Sequence, residues 1–211
     1  MDITFCLKEG NKEHWEIIVN GKVWREVHRT IFGKNPRFPS SNEMQRGADL
    51  QSSFDAYEYS RAKGYILWRL SAQSYHSDQL VKSLKERLVQ DHTIDRLMRE
   101  FHDLGVFDDE AWLQNFLRSQ LKRCGKRAII AKLYAKGISA ENIRKLMVER
   151  NDPDEELCAI QHLLNTRYRN KDFRQVKERQ KVFAALVRKG YAIEQVTRGI
   201  NTLKATEHQK P

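Results

Sequence analysis

Two octapeptides, KGISAENI at Lys136–Ile143 and KGYAIEQV at Lys189–Val196, repeat the order Lys-Gly-apolar-x-x-Glu-x-β-branched, and each follows a leucine, Leu133 or Leu186, three residues earlier. A glycine placed just after an apolar helical stripe closes that helix in the left-handed conformation, and the apolar residue behind it folds back on the helix it ends. The pattern predicts positive φ at Gly137 and Gly190, with Ile138 and Tyr191 as hydrophobic partners of the two caps. Glu141 and Glu194 then fall in the first turn of the next helix, where the helix dipole favours a carboxylate. Ser139 is a good N-cap in the first copy, whereas the second has Ala192.

Working outward from the two glycines gives three units of three helices: 55–72, 77–90 and 93–103; 109–122, 126–136 and 140–149; 155–168, 173–188 and 193–203. Within them apolar residues recur at helical spacing, as in Trp112, Phe116, Leu117 and Leu121, or Ile193, Val196, Ile200 and Leu203. Helices of about a dozen residues with one apolar stripe are marginal alone, so they must pack on one another. The expected fold is mainly α, three tandem three-helix repeat units in an elongated array, because a period of forty to fifty residues marks repeats that share their cores.

The first thirty residues differ in kind. HWEIIVNGKVWREV carries β-branched and aromatic residues on both sides of Asn20-Gly21, a pair suited to a type I′ hairpin turn, and Ile3 to Leu7 is a candidate third strand. The segment GKNPRFPSSNEMQRGADLQSS that follows is rich in Pro, Ser, Gly and Asn and reads as a linker with one short helical turn near Asn42–Arg46. The expected divisions are a hairpin element at 1–32, a linker at 33–53, repeats at 54–107, 108–152 and 153–203, and a disordered tail at 204–211.

Thirty-eight Lys and Arg against twenty-eight Asp and Glu give a formal charge of +10, with a sequence pI near 9.6. Such a field favours a polyanion, nucleic acid first, although a solvated basic surface has the same composition. No stretch is apolar enough for a membrane span, and the start MDITFCLKEG lacks a signal-peptide apolar run, so a cytoplasmic protein is expected. Cys6, Cys124 and Cys158 form no C-x-x-C pair, and Cys124, in KRCGKR, reads as a surface thiol. The seven histidines are scattered, and no phosphate-cradling glycine motif is present, so no metal, cofactor or catalytic residue is expected.

Three consecutive acidic residues, Asp108-Asp109-Glu110, lie between two aromatic side chains within LGVFDDEAW. With Asp108 at an N-cap, all three carboxylates lie beside unpaired backbone N–H groups. Phe107 and Trp112 then take the positions of a hydrophobic staple. Helix initiation accounts for the cluster, and a hydrolase built on it is disfavoured. Basic residues gather in LKRCGKRAIIAKLYAKG, with Lys122, Arg123, Lys126, Arg127 and Lys132, and in TRYRNKDFRQVKERQK, with Arg169, Lys171, Arg174 and Lys177. These nine form the candidate partner and nucleic-acid surface. Tyr168 and Phe173 between them read as core.

The order Gly105-Val106-Phe107-Asp108-Asp109 with Trp112, then Lys136-Gly137-Ile138, then Arg188-Lys189-Gly190-Tyr191 resembles the RecX family of bacterial RecA regulators over about residues 55 to 203. Two departures stand out: Gln79 replaces a glutamate in SYHSDQL, and Trp112 replaces Phe or Tyr. The resemblance implies a monomeric non-enzyme that binds RecA filaments, contacts single- or double-stranded DNA within or beside them, and restrains RecA in recombination, repair and the SOS response by occupying the filament groove. The alternative is a helical nucleic-acid-binding protein unrelated to RecA.

Overall fold

The computed structural model describes residues 2–38, 49–149 and 153–207. Among them are three strands, β1 (Ile3–Leu7), β2 (His14–Val19) and β3 (Lys22–His28), and a single helical turn, α1 (Arg29–Phe32). The remaining helices are α2 (Leu50–Ala72), α3 (Ser77–Lys85), α4 (Asp91–Asp103), α5 (Asp109–Leu121), α6 (Lys126–Lys136), α7 (Ala140–Glu149), α8 (Pro153–Thr166), α9 (Val176–Arg188) and α10 (Ile193–Glu207). The chain forms two compact units, Met1–Asp109 and Glu110–Pro211.

In the first unit the strands form an antiparallel sheet in the order β1-β2-β3. Asn20 and Gly21 have φ of 48° and 79°, the left-handed pair that a type I′ turn needs, and Val19 faces Lys22 across it. Ile3–Leu7 is indeed a third strand. So small a sheet is unstable alone, and it leans on α2: Trp24 meets Phe54 edge-on at 5.3 Å, Phe32 stacks on Phe54 at 5.9 Å, and Ile17, Val27 and Phe54 are fully buried together.

Three boundaries differ from expectation. The helix after the linker begins at Leu50, inside the expected 33–53 segment, because the Asp49 carboxylate accepts from the Ser52 N–H at 2.7 Å and starts the helix early. The expected turn at Asn42–Arg46 lies outside the described residues. Helix α3 stops at Lys85, not near residue 90, because Leu88 turns left-handed (φ 60°) and the Val89 N–H returns to the Leu84 carbonyl at 3.2 Å. That closure is made by a leucine, so no glycine announces it. The expected tail is helical as far as Glu207, in keeping with the Lys-Ala-Thr-Glu run of mostly good helix formers; residues 208–211 lie outside the described set.

The glycine closures are as expected. Gly137 and Gly190 both have φ of 88°. The Ile138 N–H reaches back to the Leu133 carbonyl at 3.0 Å and the Tyr191 N–H to the Leu186 carbonyl at 3.3 Å, the long bond of a Schellman cap in each case. Gly105 (φ 63°) closes α4 in the same way through Val106 and Phe101. Ile138 and Tyr191 are buried, as back-folded partners should be.

The second unit has two apolar clusters. One gathers Leu113, Leu117, Leu121, Ile129, Leu133 and Ile143 from α5–α7, and the other Ile160, Leu164, Val182, Leu186, Tyr191 and Val196 from α8–α10. Phe173 is buried and Tyr168 half-buried in the latter cluster, so both are core.

Candidate nucleic-acid and partner interface

The acidic residues start helices, but they do so in an unexpected arrangement. Asp108 stands immediately before the first residue of α5, the N-cap position. Asp109 faces the start of α3 instead: its carboxylate accepts from the Ser77 N–H at 2.7 Å and also from the Ser77 hydroxyl. Beside it, the Nδ1 of fully buried His76 accepts from the Asp78 N–H at 3.1 Å while the Gln79 side chain accepts from the His76 N–H at 3.2 Å, a reciprocal capping box. Gln79 therefore does the work of the expected glutamate. The His76 Nδ1 also lies 3.6 Å from an Asp109 carboxylate oxygen and 3.8 Å from one of Asp78.

The two aromatics of the expected staple each have a packing partner within their own unit. Phe107 lies against Phe101 (6.0 Å) in the first unit's core, and Trp112 stacks on Phe116 (5.3 Å, 7° between planes) in the second unit's. Among the described residues no group of three or more His, Cys, Asp or Glu side chains is placed to hold a metal ion.

The basic cluster of the second unit is assembled by close backbone contact. The Gly125 N–H donates to the Lys189 carbonyl at 3.0 Å, and a Cβ at Gly125 would stand 2.3 Å from the carbonyl oxygen of Gly190. Buried Tyr191 donates its hydroxyl to the Leu121 carbonyl at 3.3 Å, and burial holds that phenol protonated far above its ordinary range. The Lys189 ammonium reaches the Arg123 carbonyl at 3.3 Å. Glu156, buried in the first turn of α8, accepts from the Lys126 N–H at 3.1 Å and so caps α6, which has no side-chain cap of its own.

This geometry draws Lys189 to the corner that holds Lys122, Arg123, Lys126 and Arg127. Lys122, Arg123 and Arg127 are exposed, and their head groups make no ion pair or hydrogen bond among the described residues. Lys132 is spent differently: its ammonium donates to Gln120 at 2.7 Å and approaches the Cys124 sulfur at 3.4 Å. Cys124 itself is buried within the α5–α7 apolar cluster, which corrects its reading as a surface thiol.

The second basic run lies on the loop after α8 and the first turn of α9. Lys171 is tied to Glu178 at 2.9 Å, and hydrogen bonds from Lys171 and Lys181 hold the Glu178 carboxyl below its usual range. Arg169, Arg174 and Lys177 remain exposed there. Lys189 escaped the sequence reading because its motif was explained by helix closure alone; the signal was already present in the basic pair Arg188-Lys189 preceding Gly190.

A family description, "RecX, second three-helix domain", matches residues 108–147, which span α5 to the end of the α7 core. The regulatory protein RecX of Mycobacterium leprae (strain Br4923) is 31% identical over 63% of this chain and 79% of its own, and that of Clostridioides difficile (strain 630) is 30% identical over 74% of each. The chain belongs to the RecX family. Two RecX crystal structures share the fold: one covers 95% of this chain and 98% of its own at 20% identity with a TM-score of 0.56, and the RecX of Lactobacillus salivarius covers 71% and 99% at 19% identity with a TM-score of 0.59. A regulatory role goes with membership of the RecX family. No described helix is long and apolar enough to cross a membrane.

Proposed function

We propose that this protein restrains RecA recombinase by binding RecA–DNA filaments as a cytoplasmic, monomeric regulator that contacts the filament's nucleic acid, occupies its groove and performs no chemistry. RecX membership supports the RecA partner. The observation that carries the nucleic-acid contact is the corner of α5 and α6, where Lys122, Arg123, Arg127 and Lys189 converge around the Gly125–Gly190 contact and Glu156 is buried as a helix cap. Cations free of carboxylate partners release counterions when they meet phosphates, which is the main source of affinity for a polyanion. Arg169, Arg174 and Lys177 supply a second basic stretch, with Lys171 partly neutralised by Glu178.

The test is RecA ATP hydrolysis and strand exchange with and without the protein, next to its binding to bare single-stranded DNA. Inhibition of both reactions supports the reading. Replacing Lys122, Arg123 and Arg127 by Gln should relieve inhibition and flatten the log–log salt dependence of filament binding by roughly 0.7 per lost single-strand contact. Tight binding to bare DNA without any effect on RecA would establish the alternative of a nucleic-acid-binding protein unrelated to RecA.

A further inference from the structure

Helix α2 carries a glycine that its packing does not require. Gly64 sits well inside the 23-residue helix, an unfavourable place for glycine, and a Cβ built on it would meet nothing within 4 Å. One turn further along the same stripe is Trp68, 64% exposed. Trp15 donates to the Gly33 carbonyl, Trp24 packs on Phe54 and Trp112 stacks on Phe116, whereas Trp68 makes a tilted ring contact with Tyr65 at 6.2 Å and leaves most of its indole in solvent. Bare backbone at Gly64 opens a hollow of about 400 Å³ lined by Thr30, Ile31, Ser60, Arg61, Gly64, Tyr65 and Trp68.

We infer that this hollow is a base-stacking site for single-stranded nucleic acid, in which a nucleobase lies over the Gly64 backbone against the Trp68 indole and Arg61 meets the adjoining phosphate. It rests on the reading above only in that the filament's DNA would be the natural source of the strand. Three features favour a base over an apolar protein side chain. The hydroxyls of Thr30 and Ser60 make no hydrogen bond among the described residues, and an apolar anchor would bury them unpaired, whereas the edge of a base offers donors and acceptors. Arg61 uses only its Nε, donating to the Ile31 carbonyl at 3.2 Å, which leaves its terminal nitrogens for a phosphate. An exposed indole next to a cation is also the usual platform of sequence-tolerant single-strand binding.

The experiment is titration of the full chain with oligothymidylate, read by tryptophan fluorescence and by anisotropy of a labelled strand. Wild type should show quenching. Trp68→Phe should abolish the quenching although three tryptophans remain, and Trp68→Ala should weaken binding by about five- to a hundred-fold. Gly64→Leu, which fills the hollow with a better helix former, should weaken binding similarly while circular dichroism shows an intact helix. Unchanged affinity and quenching in all three variants would overturn the site. So would variants that bind oligothymidylate normally but lose RecA filaments, since the hollow would then receive a protein side chain. If oligothymidylate binding through Trp68 holds while RecA is unaffected by the protein, the RecA reading fails and the base site stands.

Discussion

Gly190 lies against Ala128 so closely that a Cβ on Gly190 would come within 2.6 Å of the Ala128 Cβ, and Gly190 also needs its left-handed φ of 88°. Gly105 has a comparable φ of 63° but open space where its Cβ would be. The two glycines separate backbone conformation from close approach. Gly105→Ala should cost about 1–2 kcal/mol, the left-handed penalty alone. Gly190→Ala should cost that plus a further ~1–3 kcal/mol of overpacking. At Gly190 asparagine, normally the mildest replacement for a left-handed glycine, should be as damaging as alanine or worse. Thermal or urea melts of the variants decide the matter: equal losses at the two sites would refute the close-approach account.

Leu88 makes the same left-handed closure with a side chain that disfavours it, and it is 40% exposed. Leu88→Gly should therefore stabilise the protein by about 0.5–1 kcal/mol, the relief of strain exceeding the greater entropy glycine gives the unfolded chain. A lower melting temperature for this variant would mean that the Leu88 side chain contributes more through packing than its conformation costs.

Asp109 and Ser77 should behave as a coupled pair. Asp109→Ala removes the acceptor at the start of α3 and should cost about 0.5–2 kcal/mol. Ser77→Ala removes only the hydroxyl half of the contact. In a double-mutant cycle the two losses should fall short of additivity by at least ~0.5 kcal/mol, and strict additivity would show that the hydroxyl half of the contact contributes nothing.

His28 offers a pH readout. Its Nδ1 accepts from the Thr30 N–H at 3.0 Å and caps α1, a role only the unprotonated nitrogen can fill. Burial, then the positive charges of Arg87 and His14, hold the imidazole below its ordinary value of 6.5, with Glu13 pulling the other way. Below about pH 6.5 the unfolded chain thus takes up a proton that the folded chain resists. The stability this group contributes is complete above that value and is lost as the pH falls toward its lowered folded value. His28→Asn keeps a capping side chain without the titration, so its stability relative to wild type should rise as the solution is acidified from about pH 7 to 5. A difference that stays constant over this range would rule the histidine out as a source of acid sensitivity.

Helix order was legible because closure chemistry is local. Gly137 and Gly190 announce left-handed turns, and the α6 and α7 boundaries follow from them directly. Leu88 performs the same closure without the residue type that signals it, and Asp49 caps α2 from within a segment whose composition reads as loop. The basic corner was half legible. Lys122, Arg123, Lys126 and Arg127 are neighbours in sequence, but Lys189 reaches them only because Gly125 and Gly190 let two backbones touch, a contact spanning more than sixty residues that no local pattern encodes. Asp109 shows the same limit in reverse: its residue type revealed a cap, but not that the helix it caps begins thirty-two residues earlier.

The Tyr191 hydroxyl reaches a carbonyl seventy positions earlier in the chain. At synthesis rates of about 5–20 residues per second, Leu121 leaves the ribosome roughly 4–14 s before the residue that covers it. Throughout that interval the α5–α6 corner has neither its phenol nor its glycine contact. The corner is therefore among the last contacts of this unit to form during synthesis, and a protease pulse during translation would report the moment at which it closes.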